Sequence, residues 1–216
     1  MQVPPLTIIY STDTFAVIDK PSGLLSVPGK GPHKQDCAAA RVRAMFPNAT
    51  GPLVVHRLDM ETSGLLVFGL SPDSQRELSR QFEARIPEKA YNALVEGTVT
   101  LDEGEISLPM RPDVENRPWQ MVDYLHGRSA VTRYRVLSRE IDRTRVKFEP
   151  LTGRAHQLRL HAATAREQGG LGCPILGDVL YGDVHSAPRL MLHAAYLSFL
   201  DPATGGRVAF ESQTPF

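Results

Sequence analysis

Residues 56–64 read HRLDMETSG and lie between two apolar runs, LVV at residues 53–55 and LLVF at residues 65–68. Polar side chains that interrupt a core-bound segment need partners or a function, because burying one unpaired costs roughly 1 to 3 kcal/mol. The aspartate of this segment, Asp59, follows a histidine and an arginine. Such a carboxylate can be a nucleophile, a general base or half of an ion pair. The residues alone also allow a structural turn in which Asp59 caps backbone amides.

A second polar segment, residues 151–161, reads LTGRAHQLRLH and lies where a predicted strand ends and a predicted helix begins. Free amide groups at such a junction favour anions. Two of its residues, His156 and His161, are five positions apart, about 140° around a helix, so they cannot form a zinc pair on one face. The chain also has no Gly-x-Ser-x-Gly, phosphate-binding loop or dinucleotide-binding glycine pattern. The chemistry indicated is a carboxylate with arginines, and we expect no metal and no cofactor.

Apolar runs bounded by turn residues predict that most of the chain forms short strands, beginning with a hairpin at residues 6–19. Among the few predicted helices, one begins after Ser71, which precedes a proline suited to the first helical position. Another is predicted at residues 155–168, with an apolar stripe and a basic stripe. Residues 104–123 contain three prolines and are predicted to be rich in loops. These elements indicate an α+β fold on a largely antiparallel sheet, in a single domain spanning residues 1–216.

The composition favours a cytoplasmic location. No apolar run approaches the roughly 18 to 20 residues that a membrane span needs, and the N-terminus lacks the pattern of a signal peptide. The two cysteines, Cys37 and Cys173, match no metal or redox spacing, so reduced thiols are expected.

The charge of the chain does not decide whether its partner is a nucleic acid. The net charge is zero, whereas nucleic-acid binders commonly carry a basic surplus that neutralises phosphates. Residues 128–166, however, hold ten arginine or lysine side chains against three carboxylates. This basic stretch can be a solvated face of a sheet or a surface for phosphates, so the charge pattern permits RNA without selecting it.

The segment at residues 56–64 resembles the signature of the RluA-type pseudouridine synthases, and other motifs of that family follow in the family's order along nearly the whole chain. These motifs are KPSGL at residues 20–24, EKAY at 88–91, TGRAHQLR at 152–159, ILGD at 175–178 and RLMLHA at 189–194. The resemblance implies the pseudouridine synthase fold, a mixed and mostly antiparallel central sheet with flanking helices and loops around a catalytic cleft. It also implies isomerisation of uridine in structured RNA, a reaction whose product has the same atoms as its substrate.

The resemblance further implies residue roles. Asp59 corresponds to the family's essential aspartate, and Tyr91 to the tyrosine that stacks on the target uracil. Arg159 corresponds to the arginine that pairs with the aspartate and keeps it ionised, and Arg57 to the arginine that fills the space of the flipped-out nucleotide. The other residues expected near the substrate are His56, Arg154 and His156.

One loop resembles the short members of the family. Residues 114–120 read VENRPWQ, and their Asn116 and Arg117 match the Asn-Arg-Pro loop of those members, so both are expected to bind substrate. Because the resemblance to the catalytic domain begins almost at the first residue, we expect no N-terminal S4 RNA-binding domain. The expected partners are therefore the tRNA anticodon loop and a loop of 23S rRNA, bound by a monomer. A synthase restricted to rRNA or to tRNA, and a catalytically silent RNA chaperone on the same fold, remain alternatives.

Overall fold

The computed structural model describes residues 4–216. Within that range the chain forms eleven β-strands and three α-helices, which in chain order are β1 (Thr7–Ser11), β2 (Phe15–Lys20), α1 (Ala38–Met45), β3 (Ser63–Gly69), α2 (Pro72–Glu83), β4 (Glu88–Glu96), β5 (Glu103–Ser107), β6 (Met110–Pro112), β7 (Gln120–Val122), β8 (Val131–Arg139), β9 (Arg143–Pro150), α3 (Gln157–Ala163), β10 (Leu192–Leu200) and β11 (Arg207–Glu211). The chain divides into two compact units: an N-terminal unit, residues up to 89 with 193–215, and a central unit, residues 90–192 with 216. Strands predominate over helices, which confirms the predicted α+β class.

The sheet of the N-terminal unit has the strand order β1-β2-β3-β10-β11. The predicted N-terminal hairpin is confirmed, because β1 and β2 pair antiparallel. Strand β3 pairs antiparallel with β2 and parallel with β10. All seven residues of β3 are buried, as expected for a central strand covered on both faces. This strand continues directly from the HRLDMETSG segment, so the core of the unit anchors one end of that segment.

Helix α2 begins where the sequence predicts. The Ser71 hydroxyl accepts a hydrogen bond from the backbone N–H of Ser74, and Pro72 occupies the first turn, a position where proline loses no helical hydrogen bond. Leu78 on this helix packs in a core with Phe15, Val67 and other residues of the sheet. The burial of that apolar side chain fixes the helix on the sheet.

The sheet of the central unit has the order β4-β9-β8-β5, with every pair antiparallel. Its core contains Phe148 and Val146 of β9 together with Leu158 and Ala162 of α3. Residues 104–123 are rich in loops, as predicted, but half of them lie in strands that were not predicted. They contain β5 and a two-stranded ribbon of β6 and β7, because β5 pairs with β8, a partner too distant in sequence for local turn signals to indicate.

The helix predicted at residues 155–168 is shorter in the structure. Helix α3 ends at Ala163, and residues 166–168 form a separate 3-10 turn. The chain beyond the helix doubles back, so the backbone N–H groups of Leu171 and Cys173 donate to the carbonyls of His161 and Ala162. These carbonyls are helix-end acceptors that would otherwise lack partners. The predicted division into an apolar and a basic stripe is also wrong, since residues 157–162 are all buried.

Candidate active site

The segment that carries Asp59 is a loop whose backbone is held by hydrogen bonds and whose aspartate is half-buried. The backbone of the buried residue Leu58 makes two hydrogen bonds with one hydroxyl. Its N–H donates to the Ser26 hydroxyl at 3.0 Å, and that hydroxyl donates to the Leu58 carbonyl at 2.7 Å. The N–H of Thr62 donates to the Asp59 carbonyl at 3.2 Å and closes a turn. Asp59 itself is half-buried. The loop therefore holds the backbone on both sides of a half-buried aspartate.

The KPSGL motif clamps the same loop. The ammonium group of Lys20, which is fully buried, donates to the carbonyls of Met60 at 3.0 Å and Leu24 at 2.7 Å. The hydroxyl of Ser22 donates to the Glu61 carbonyl at 2.7 Å. Buried charges persist in proteins when hydrogen bonds replace their hydration. The motif is recognisable in the sequence, but its role was not predicted, because Lys20 and its partner Met60 are 40 residues apart.

His56, in the same loop, contacts β3 and α2. Its Nε2 atom accepts a hydrogen bond from the Val67 N–H at 3.3 Å, and its ring stacks on Phe82 with centroids 4.3 Å apart. Burial, with a smaller effect of the Lys89 charge, lowers the pKa of His56 to about 3. The imidazole is therefore neutral near pH 7 and accepts a hydrogen bond from the backbone. Its predicted contact with substrate stays a prediction.

Arg57 and Asp59 differ in exposure. Arg57 is exposed, and within residues 4–216 its side chain makes no hydrogen bond or ion pair. An exposed guanidinium without a partner among the described residues has the freedom that its predicted role requires. The N-terminal unit thus brings together three of the predicted residues: His56, Arg57 and Asp59.

The loop enters β3 at a position that admits only glycine. Gly64 has φ +110°, and a Cβ atom there would lie within 3 Å of the backbone of Ala194 on β10. Next to it the buried hydroxyl of Ser63 hydrogen-bonds Nδ1 of His193 at 2.9 Å, and Nε2 of His193 lies 3.0 Å from the Ser212 hydroxyl. The end of the Asp59 loop is thereby tied to β10 and to the residue that follows β11.

In the central unit, Arg159 forms a buried ion pair with Asp178. Its Nε and Nη2 atoms donate to the two carboxylate oxygens at 2.8 and 2.5 Å, and the side chains are 4% and 0% exposed. Two parallel donors to one carboxylate fix the plane of the guanidinium. The sequence motif contained Asp178, but no role was predicted for it; an acid inside an apolar run was the available signal. The role of Arg159 towards Asp59 stays a prediction.

Tyr91 and His156 occupy different settings in the same unit. Tyr91 on β4 is half-buried and packs against the core, in register with Phe148 of β9. His156 precedes α3 with a left-handed backbone, φ 55°, a conformation that costs a non-glycine residue about 1 to 2 kcal/mol. Its Nδ1 atom lies 3.0 Å from the hydroxyl of Tyr181. Tyr181 was not predicted from the sequence, and it links His156 to Arg159 through its ring, 5.4 Å from the guanidinium.

Arg154 and the ribbon loop complete the predicted set. The Nε atom of Arg154 donates to the Ser129 carbonyl at 3.2 Å. Asn116 and Arg117 are exposed in the turn between β6 and β7, where the Asn116 amide donates to Asp113 at 2.9 Å. The Asn116 side chain therefore shapes its own loop, while Arg117 extends into solvent.

Surface acids neutralise much of the basic stretch at residues 128–166. Arg133 and Arg135 of β8 pair with Glu105 and Glu103, which lie directly opposite them on β5. Other ion pairs of the same stretch join Arg139 to Asp102, Arg143 to Glu140 and Asp142, and Lys147 to Glu149. For these five cations the structure supports the solvated-face interpretation.

The described part of the chain holds neither a metal cluster nor a membrane span. Residues 4–216 contain no group of three or more histidine, cysteine, aspartate or glutamate side chains that could hold a metal ion. None of the helices in that range has the length and hydropathy needed to cross a membrane.

The fold and these motifs define the class of protein. The model of the RNA pseudouridylate synthase family matches residues 14–164, and the chain belongs to that family, whose enzymes isomerise uridine in RNA. This confirms the resemblance seen in the sequence. Two relatives, each named dual-specificity RNA pseudouridine synthase RluA, come from Haemophilus influenzae and Escherichia coli (strain K12). They are 46% and 43% identical over 99% and 100% of this chain, and over 95% and 96% of their own lengths.

A solved structure supports the same assignment. Human RNA Pseudouridylate Synthase Domain Containing 1 aligns with a TM-score of 0.79 at 29% identity, covering 100% of this chain and 86% of its own. The predicted pseudouridine synthase fold is confirmed by this similarity.

Proposed function

We propose that Asp59 is the catalytic carboxylate with which this chain converts uridine to pseudouridine in structured RNA. The observation that carries the proposal is the Asp59 loop, whose backbone is held by Ser26 and Lys20 while Asp59 itself is half-buried. A catalytic group must be kept near its productive geometry by surrounding contacts. This loop has such contacts on both sides of the aspartate.

The reaction breaks the bond between C1′ and N1, turns the uracil, and joins C5 to C1′. The hydrogen on C5 leaves as a proton and N1 gains one, so the atoms and electrons balance without a redox partner or cofactor. Uridine must first leave its stack, at a cost of a few kcal/mol that is smaller in a loop than in a duplex. In the proposal, the exposed Arg57 fills the vacated space, Tyr91 stacks on the uracil and Arg159 pairs with Asp59 and orients it.

We propose as substrates the tRNA anticodon loop and a loop of 23S rRNA, acted on by a cytoplasmic monomer with one catalytic domain. Two features support dual specificity: the name shared by the two bacterial relatives, and the exposed loop that carries Asn116 and Arg117. His56, Arg154 and His156 are proposed to line the bound nucleotide or to support the residues that do.

Replacing Asp59 tests the proposal. RNA labelled with tritium on C5 of uridine should release tritium with the wild-type chain, and Asp59→Asn should reduce release at least a thousandfold while RNA binding by filter retention persists. Asp73→Asn, which alters an exposed carboxylate on α2, is the matched control and should retain full activity. Turnover by a clean Asp59→Asn preparation would contradict the assignment.

Mapping distinguishes the alternatives. Pseudouridine mapping of total RNA from cells with and without this chain should show losses in both tRNA and 23S rRNA. Loss in only one RNA class would establish a restricted synthase. Wild-type protein that binds RNA and releases no tritium would establish the silent chaperone.

A further inference from the structure

Tyr181 is the meeting point of three parts of the central unit that the sequence keeps apart. Its hydroxyl accepts a hydrogen bond from the backbone N–H of Gln120 at 2.8 Å, and lies 3.0 Å from Nδ1 of His156. Gln120 begins β7, directly after the turn that carries Asn116 and Arg117. One side chain therefore connects that turn to the start of α3.

The ring of Tyr181 makes two further contacts. The guanidinium of Arg159 lies 5.4 Å from the ring centroid, within the range of an attractive cation–π interaction. Trp119 contacts the same ring edge-on, with centroids 5.2 Å apart. Arg159 is consequently held at its edge by a carboxylate and on its face by an aromatic ring.

Asp178 fixes the position of the tyrosine as well as that of the arginine. Its Oδ1 atom accepts hydrogen bonds from the backbone N–H groups of Leu180 at 2.9 Å and Tyr181 at 3.1 Å, while both oxygens bind Arg159. The turn at residues 178–181 and the guanidinium thus share one buried anchor. A displacement of Tyr181 would therefore change the orientation of Arg159, both through the shared carboxylate and through the ring contact.

We propose that Tyr181 is a positioning residue of the synthase reaction, which couples the RNA-recognition turn at residues 113–119 to the orientation of Arg159. The inference rests on the proposed function and deepens it, since it assigns a task to a residue for which the sequence predicted no role. The hydroxyl serves the turn and His156, and the ring serves Arg159. The two halves of the side chain therefore have separable kinetic effects.

Two substitutions at this position separate the effects. Tyr181→Phe keeps the ring and loses both hydroxyl contacts, so the KM for a labelled RNA stem-loop should rise about five- to tenfold with kcat within twofold of wild type. Tyr181→Leu loses the ring as well, so its kcat should be about tenfold below that of Tyr181→Phe. Tyr134→Phe removes a hydroxyl from another half-buried tyrosine of the same unit, and should change neither constant.

The same tritium-release assay first establishes wild-type turnover and its loss in Asp59→Asn, so failure of the proposed function is seen before Tyr181 is tested. An unchanged KM in Tyr181→Phe overturns the inference. If Tyr181→Leu does not fold, Trp119→Leu and the double variant Trp119→Leu/Tyr181→Phe decide. Coupling through the ribbon requires that the double variant raise KM by less than the product of the two single effects, and a full product overturns the inference.

Discussion

Neutralising Asp178 should be among the most damaging single changes in the central unit. Its carboxylate accepts four hydrogen bonds, two from Arg159 and one each from the backbone of Leu180 and Tyr181. In Asp178→Asn the amide would keep one carbonyl oxygen for the backbone donors, but the charge that faces Arg159 would be lost. Removing one partner of a buried ion pair costs about 3 to 5 kcal/mol. We take the lower end, about 3 kcal/mol, because the amide retains part of the hydrogen bonding.

This free energy converts to a clear shift in melting temperature. For chains of 150 to 250 residues, 1 kcal/mol lowers Tm by roughly 2 to 4 °C, so Asp178→Asn should melt about 6 to 12 °C below wild type. Differential scanning calorimetry and circular dichroism provide the measurement. Glu103→Gln is the control, because Glu103 and its partner Arg135 are each 70% exposed and an exposed pair contributes about 0 to 1 kcal/mol.

The outcome that refutes the reasoning is specific. If Asp178→Asn melts within about 4 °C of wild type, the upper limit that we expect for Glu103→Gln, the buried pair does not hold the turn at residues 178–181. The structural basis for assigning Tyr181 a positioning role would then be lost as well.

Two further predictions concern the Asp59 loop. The pKa of His56, lowered to about 3 by burial, means that the unfolded chain binds a proton below pH 6.5 that the folded chain does not. The free energy of unfolding should therefore fall as pH drops from about 6.5 towards 3, by at most about 1.4 kcal/mol per unit. In urea titrations at pH 7, 6 and 5, His56→Gln should show a shallower fall, and equal slopes would contradict the burial argument. Gly64→Ala should destabilise by about 3 kcal/mol or more, because its Cβ meets the Ala194 backbone. Gly97→Ala shares a positive φ but has open space, so comparable melting of the two variants would show that backbone strain alone explains the loss.

Local signals predicted the elements whose causes are local. The hairpin at residues 6–19 and the start of α2 at Ser71 depend on neighbouring residues, and both appear as predicted. The family and its reaction followed from the order of several motifs, since short segments of specific chemistry in one order are informative without any geometry. The aspartate at position 59 was ambiguous by itself, and the surrounding motifs favoured a catalytic residue over a turn residue.

Only the tertiary structure determined which distant residues contact each other. Asp178 pairs with Arg159 across 19 residues and Lys20 reaches Met60 across 40, and neither pairing leaves a periodic signal in the chain. The end of α3 was likewise determined by the returning segment at residues 171–173. The register of β5 against β8 placed Glu105 and Glu103 opposite Arg133 and Arg135 of the basic stretch. Helix caps, turns and alternation record interactions between residues a few positions apart. Buried ion pairs, backbone clamps and strand register depend on where distant segments meet, which only the folded chain specifies.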